Sequence, residues 1–301
     1  MNKVICLGDA CVDIITRKGS KDYTNFSCGG ANANSAYGLG KLNVDVGFVG
    51  MAGNDIYGEE MKRVLNEVNV NTDLFLLDEK ESTKILIEID ENNERFPRLM
   101  TNINPSYLQI TTDHLNKIDL TNVEYILTNG MMLFENPAAS AITDFLYKAH
   151  DLGIKILLDI NYRIETIDKD RKYLNKVLEI TNYLFGSLED EILPISYTNN
   201  LNDALDKLVN KDRTVIVRNS KGSDVYTINN HYHSDSYKVD VVDTTGAGDA
   251  FNAGFIYGLV NNKSLDICNK FGCACAGINI EKEGARNTPS ESELLKFISS
   301  H

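Results

Sequence analysis

Gly246, Ala247 and Gly248 stand directly before Asp249 in the run Asp243-Thr244-Thr245-Gly246-Ala247-Gly248-Asp249-Ala250-Phe251. A short strand from Val239, a loop of small residues and an apolar helix beginning near Gly246 are what the surrounding segment predicts. The first N–H groups of a helix have no partner within it, and the helix dipole adds partial positive charge at that end, so three small residues there form a cradle for a phosphate or oxyanion. A carboxylate in the first turn lies beside whatever the cradle holds. Asp249 is thus placed to take the proton of an attacking hydroxyl while the neighbouring N–H groups stabilise charge on transferring oxygens. The alternative is an ordinary capped helix, with Asp243 or Thr244 as cap and Asp249 complementing the dipole.

Other reactive residue types lead to less. His231 and His233 flank Tyr232 and share one strand face, and the sequence offers no acidic or cysteine ligand to complete a metal site. The cysteines at 6, 11, 28, 268, 273 and 275 have no zinc spacing and sit mostly among small or apolar neighbours, as buried reduced thiols do. Neither G-x-x-x-x-G-K-[ST] nor a G-x-G-x-x-G after a strand occurs, which excludes a P-loop and a dinucleotide fingerprint.

These residues need a frame. Val4–Leu7, Val46–Val49, Tyr125–Leu127, Ile154–Leu158 and Thr214–Val217 read as buried strands, and residues 32–42, 58–68, 137–152 and 202–209 as helices between them. Strand and helix in alternation predict a doubly wound α/β fold, a mostly parallel sheet with helices on both faces. Two stretches, 12–27 and 83–96, break the pattern. Thr83 to Asp90 alternates at period two and turns at Glu91-Asn92-Asn93-Glu94, a hairpin with one wet face. Such a patch in a parallel-sheet protein is expected to be a flap over the carboxyl ends of the strands, where open α/β sheets bind ligands. We expect one domain over 1–301, with a β lid from about 12–27 and 83–104.

A formal charge of −13 disfavours nucleic acid and anionic membrane surfaces as partners, although local N–H groups can still bind phosphate. The N-terminal apolar run ends at Gly8 and Asp9, too early for a signal peptide, and no run approaches the roughly 18 apolar residues of a membrane span. A cytoplasmic location is expected.

The run from Asp243 to Phe251 closely resembles the D-T-x-G-A-G-D-x-F signature of the ribokinase or PfkB family of carbohydrate kinases. Cys28-Gly29-Gly30-Ala31-Asn32-Ala33-Asn34 and the segment Gly47 to Gly58 resemble its N-terminal signature. The resemblance implies a ribokinase-like fold and ATP-dependent phosphorylation of a primary hydroxyl of a sugar or sugar acid, fructose-like or 2-keto-3-deoxygluconate-like. It makes Asp249 the base and Gly246, Ala247 and Gly248 the anion hole. It places Asp13, Gly30 and Asn34 on the acceptor, and Asn219, Gly222, Gly246 and Gly248 at ATP. Asn219 stands where relatives usually carry glycine, and we expect it to tolerate left-handed backbone angles. Mg2+ would bridge the ATP phosphates, and the N-x-x-E motif associated with it falls on Gly186-Ser187-Leu188-Glu189. Glu189 keeps the carboxylate, glycine replaces the asparagine, and Ser187 or Asp190 are the substitutes. Asp243 and Thr245 match a monovalent-cation (K+) position of some relatives. Asp159-Ile160-Asn161-Tyr162-Arg163 resembles the D-x-N-x-R segment of fructokinases and 2-keto-3-deoxygluconate kinases, so Arg163 suggests an acidic acceptor. The alternative for Arg163 is an ion pair with Asp159 or Glu165. Arg95 and Arg98 are further candidates for an acidic group. A nucleoside kinase, with Tyr23 and Phe26 against a base, and a silent sugar- or nucleotide-binding member are the competing readings. The exposed hairpin face suits a homodimer through the lid.

Overall fold

The computed structural model describes residues 2–17, 23–89, 95–100, 105–161 and 171–300. Nine strands form one sheet in the order β13-β12-β11-β10-β9-β8-β1-β4-β5. They are β1 (Val4–Leu7), β4 (Val46–Gly53), β5 (Phe75–Asp78), β8 (Tyr125–Asn129), β9 (Lys155–Asp159), β10 (Thr181–Ser187), β11 (Thr214–Asn219), β12 (Gly222–Tyr226) and β13 (His231–Asp235). From β11 to β5 every pairing is parallel, whereas β12 and β13 add on antiparallel.

The parallel strands read as continuous apolar runs because both faces are covered. In β1, Val4 and Cys6 face one core and Ile5 and Leu7 the other, the alternation that a pleated strand imposes. On the first side lie α1 (Ala31–Lys41), α6 (Ala247–Val260) and α7 (Leu265–Asn279); on the second lie α3 (Ala138–Asp151), α4 (Lys172–Ile180) and α5 (Leu201–Leu208). A further helix, α2 (Ile56–Asn66), follows β4 and is capped by Asp55, whose Oδ1 accepts from the backbone N–H of Tyr57 and Gly58. Helix α6 is mostly apolar beyond Asp249 and Asn252 and is buried for ten consecutive residues, Ala250 to Leu259. It approaches α7 so closely at Gly254 that an added Cβ would lie 2.4 Å from the Phe271 carbonyl oxygen.

The stretches expected to form a lid build a separate four-stranded sheet in the order β3-β2-β6-β7, from β2 (Cys11–Arg17), β3 (Tyr23–Gly29), β6 (Lys84–Ile89) and β7 (Arg95–Met100). The two stretches that broke the helical alternation thus join each other, through parallel pairing of Val12–Arg17 with Lys84–Ile89. The turn at Glu91–Glu94 lies outside the described residues.

One expected strand is absent. Residues 239–243 have no regular structure, and Val241 and Val242 are exposed. The β-branched residues there belong to a loop held by Val242 and Asp243, whose N–H groups both donate to the Ile280 carbonyl instead of to a strand.

Candidate active site

Gly246 caps α6 with φ 74°, a left-handed conformation that glycine adopts without cost. The position is also crowded, since an added Cβ would lie 2.6 Å from Ala285 Cβ and 2.7 Å from both its Cα and its carbonyl oxygen. Gly246→Ala should therefore destabilise the fold by about 1–3 kcal/mol and displace the loop that forms the cradle. Urea midpoints and ATP titrations check this, and an unchanged midpoint would contradict it.

The start of α6 divides two cavities. One, of about 710 Å³, is lined by Gly246, Ala247, Gly248 and Asp249 on one side and by Glu189 and Asp190 on the other. The second, of about 480 Å³, is mainly apolar, walled by Val241, Phe251, Ala276 and Ile280, with Asn219 and Gly222 at its edge. Ser187, Arg218, Thr244, Ala247 and Gly248 line both. A slot for a flat apolar group therefore opens onto a polar cleft across the helix N-terminus.

Asp249 faces that cleft. Its Oδ2 accepts a hydrogen bond of 2.9 Å from Asn34 Nδ2, and its carbonyl one of 3.3 Å from Ser35 Oγ, both from α1. Burial, helped by the nearby carboxylates Asp159 and Asp9, pushes its pKa from 3.8 up to about 8; the Asn34 bond and Arg218 oppose the rise. A carboxyl group poised near neutral pH suits a general base.

Behind the cradle lies a polar network that the sequence did not disclose. Arg218, at the end of β11, donates from Nη2 to Asp159 Oδ1 at 2.8 Å and from Nη1 to Asp159 Oδ2 at 3.3 Å. Nη1 also donates to Asn252 Oδ1 at 2.8 Å and to the Gly248 carbonyl at 3.2 Å. Asn252 Nδ2 returns to Asp159 Oδ2 at 2.6 Å, and Glu191 lies 3.8 Å from Arg218. Burial raises the Glu191 carboxyl, with Asp159 adding to the rise and Arg218 opposing it. The network ties the ends of β9 and β11 to the first turns of α6. Asp159 is therefore engaged by Arg218; Arg163 and Glu165 lie outside the described residues.

On the acceptor side, Asp13 sits on β2 with its carboxylate against Gly29, where an added Cβ would be 3.3 Å from Oδ2. Gly30, at φ 101°, comes so close to Asp9 that a Cβ would lie 2.4 Å from the Asp9 carbonyl oxygen. Asp9 accepts from the Ala31 and Asn32 N–H groups at 2.9 and 3.2 Å and so holds the start of α1. Of the four residues expected at the acceptor, Gly30 and Asn34 lie on this turn and Asp13 on the adjoining lid strand. Phe26, half exposed on β3, meets Tyr57 edge to face at 5.2 Å. The side chains of Tyr23, Arg95 and Arg98 lie outside the described residues.

The nucleotide side departs from expectation in two details. Asn219 keeps extended strand geometry opposite Gly222, and Gly222 carries the positive φ, 144°. Asn219 Oδ1 instead closes the turn by accepting from the Lys221 N–H at 2.8 Å. Gly186 does not face the cleft: an added Cβ would meet Ile160 at 2.9 Å and Ile192 at 3.1 Å, so glycine serves packing there. The residues of this turn that line the cleft are Ser187, Glu189, Asp190 and Glu191. Asp243 and Thr245 are bonded to each other and to neighbouring groups. Asp243 Oδ1 accepts from the Thr245 N–H and hydroxyl, its Oδ2 accepts from the Gly284 N–H, and the Thr245 carbonyl accepts from Asn279 Nδ2. His231 and His233 do have an acidic neighbour, contrary to the sequence reading, because β12 brings Asp224 between them at 2.7 and 2.9 Å. No group of three such side chains among the described residues could hold a metal ion. All six cysteines are unpaired and five are buried.

A glycine-rich helix N-terminus, a buried carboxyl group with a raised pKa and an apolar slot beside a polar cleft suit an enzyme that transfers a phosphoryl group to a hydroxyl. The chain matches the pfkB family carbohydrate kinases over residues 1–292. It belongs to that family and is an ATP-dependent carbohydrate kinase. The 5-dehydro-2-deoxygluconokinase of Listeria innocua serovar 6a is 25% identical, covering 98% of this chain and 95% of that protein; the protein of the same name from Bacillus subtilis is also 25% identical, with the same coverage. Among solved structures, a double mutant of Vibrio cholerae O395 fructokinase, with fructose, ADP and potassium ion bound, has TM-score 0.86 at 22% identity over 99% of this chain and 98% of that one. Xylella fastidiosa fructokinase with bound ATP has TM-score 0.86 at 20% identity, over 100% and 99% of the two chains. These structures establish the ribokinase-like fold. No helix among the described residues is long and apolar enough to cross a membrane.

Proposed function

We propose that this kinase phosphorylates a primary hydroxyl of a sugar acid of the keto-deoxy-gluconate type. The observation that carries the reaction assignment is Asp249 on the polar cleft, beside the N–H groups at the start of α6 where the two cavities meet. The acidic acceptor is supported by the relatives that act, by name, on 5-dehydro-2-deoxygluconate.

In this reading the adenine occupies the apolar slot and the phosphates run past Ala247 and Gly248 into the polar cleft. Asn34 engages Oδ2 of Asp249, which leaves Oδ1 for the acceptor hydroxyl. The hydroxyl oxygen bonds to the γ-phosphorus as the bond to the β,γ-bridging oxygen breaks; its proton passes to Asp249 and ADP departs. The N–H groups of Gly246 and Gly248 would face the charge on the equatorial oxygens, that of Ala247 being donated to the Thr244 carbonyl at 3.2 Å. Glu189 and Asp190 fit Mg2+, being exposed hard oxygen donors on the same cleft, and would hold it largely through water and phosphate. When bound, it neutralises phosphate charge. The lid would limit access of water to the cleft.

Ionisation of Asp249 sets the expected pH profile. With the carboxyl pushed up to about 8, kcat/KM should rise tenfold per pH unit below that value and level off above it. The same group binds its proton more tightly in the folded than in the unfolded chain, so its contribution to stability falls between pH 3.8 and about 8. Initial rates from pH 6 to 9.5 at saturating MgATP check the profile, and a flat response over that range would contradict it.

A further inference from the structure

We propose that Arg286 is a positioning residue for phosphoryl transfer, fixing which end of the Asn34 amide faces Asp249; this rests on the kinase reading above. Arg286 Nε donates to Asn34 Oδ1 at 3.0 Å, and Asn34 Nδ2 donates to Asp249 Oδ2 at 2.9 Å. An asparagine amide can turn over, exchanging its oxygen and nitrogen. Turned over here, the carbonyl oxygen would face a carboxylate and the NH₂ would face a guanidinium N–H, two repulsive contacts in place of two hydrogen bonds. Among the described residues Arg286 is the donor that holds Asn34 Oδ1, so it selects the productive orientation.

The rest of the guanidinium argues against a purely structural role. Nη1 and Nη2 are enclosed and have no hydrogen-bond partner among the described residues. The group lies over the Tyr37 ring, 5.6 Å from its centroid, with Cys11 and Asp13 of β2 and Cys28 of β3 as its other titratable neighbours. Burial lowers the Arg286 pKa. Burying a cation without an anion bonded to it costs stability, and replacing such a group by an apolar one of similar size is often neutral or stabilising. What Arg286 supplies is the Nε hydrogen.

Side-chain chemistry provides a matched pair of variants. Glutamine places an N–H₂ at the same ε position as Arg286 Nε, whereas methionine places a methyl group there. In Arg286→Met the amide is free to turn over, so kcat should fall roughly tenfold, as expected for a lost hydrogen bond to a charged group. In Arg286→Gln the donor remains, and kcat should stay within about threefold of wild type. The decisive readout does not need turnover. The titration of Asp249, followed by the 13C shift of its carboxyl carbon in the ligand-free protein, should move to higher pH in Arg286→Met, because the Asn34 bond favours the ionised form. The other charged groups facing Asp249, namely Asp159, Asp9 and Arg218, are the same in all three proteins. Arg286→Gln should titrate as wild type does, and Arg286→Met should keep the thermal midpoint. Equal titrations in wild type and Arg286→Met, or a Gln variant as impaired as the Met variant, would overturn the proposal. A wild-type protein that forms no phosphorylated sugar would instead overturn the kinase reading, with the titration still reporting on the Arg286–Asn34–Asp249 chain.

Discussion

Asp249→Asn should lower kcat by about two to four orders of magnitude while leaving the fold and ATP affinity in place. The substitution keeps the shape of the side chain and removes its capacity to accept the acceptor's proton. In the proposed binding mode ATP would lie against the cradle and the apolar slot, and neither depends on that carboxylate. Stability gives an independent check on the same group. The wild-type carboxyl is pushed up to about 8 mainly by burial, so above that pH the folded protein carries an unfavourable charge that asparagine lacks. The variant should therefore be at least as stable as wild type at pH 9. Calorimetric ATP binding, thermal melts at pH 9 and single-turnover rates on one preparation separate these effects. Turnover within tenfold of wild type would contradict the role assigned to Asp249.

The largest expected effect on stability belongs to Arg218. Its guanidinium donates to both oxygens of Asp159, which is 3% exposed, and lies 3.8 Å from Glu191. Arg218→Met leaves two carboxylates enclosed without their cation, and breaking a buried pair in this way costs about 3–5 kcal/mol. Burial already raises the Glu191 carboxyl and Arg218 opposes that rise, so removing the cation lets Glu191 take up a proton more readily, and the loss should be greater at pH 8 than at pH 5.5. Urea denaturation of the variant and wild type at the two pH values tests this. A loss below about 1 kcal/mol at pH 8 would show that the pair contributes little.

The candidate catalytic segment was legible because its geometry is local. Three small residues and a carboxylate at a helix start are consecutive, and a helix N-terminus imposes their arrangement. The buried strands were legible for the same reason, since a fully covered parallel strand must be apolar throughout. Arg218 carried no such signal. It follows an apolar run and reads as the solvated end of a strand, whereas its partners lie 59 and 34 residues away. Arg286 was silent too, 252 residues from Asn34. The segment from Val239 to Val242 misled in the opposite sense, since its β-branched residues suggest a strand and two of them are exposed in a loop. At Gly186 the motif placed a gap in the metal site, but the pleat turns that residue toward Ile160 and Ile192 and presents Ser187 to the cleft. Local chemistry was therefore readable, and partnerships across the sheet were not.

The central claim is acceptor-dependent phosphoryl transfer from ATP, and one assay addresses it. ADP formation and the mass of the product should be followed with 5-dehydro-2-deoxygluconate, 2-keto-3-deoxygluconate, fructose, ribose and adenosine as separate acceptors. The expected result is one equivalent of ADP per equivalent of singly phosphorylated sugar acid, with kcat/KM highest for one of the two acids. Turnover of adenosine alone would contradict the assignment of the acceptor, and ligand-induced thermal shifts with no phosphorylated product from any of the five would contradict the kinase itself.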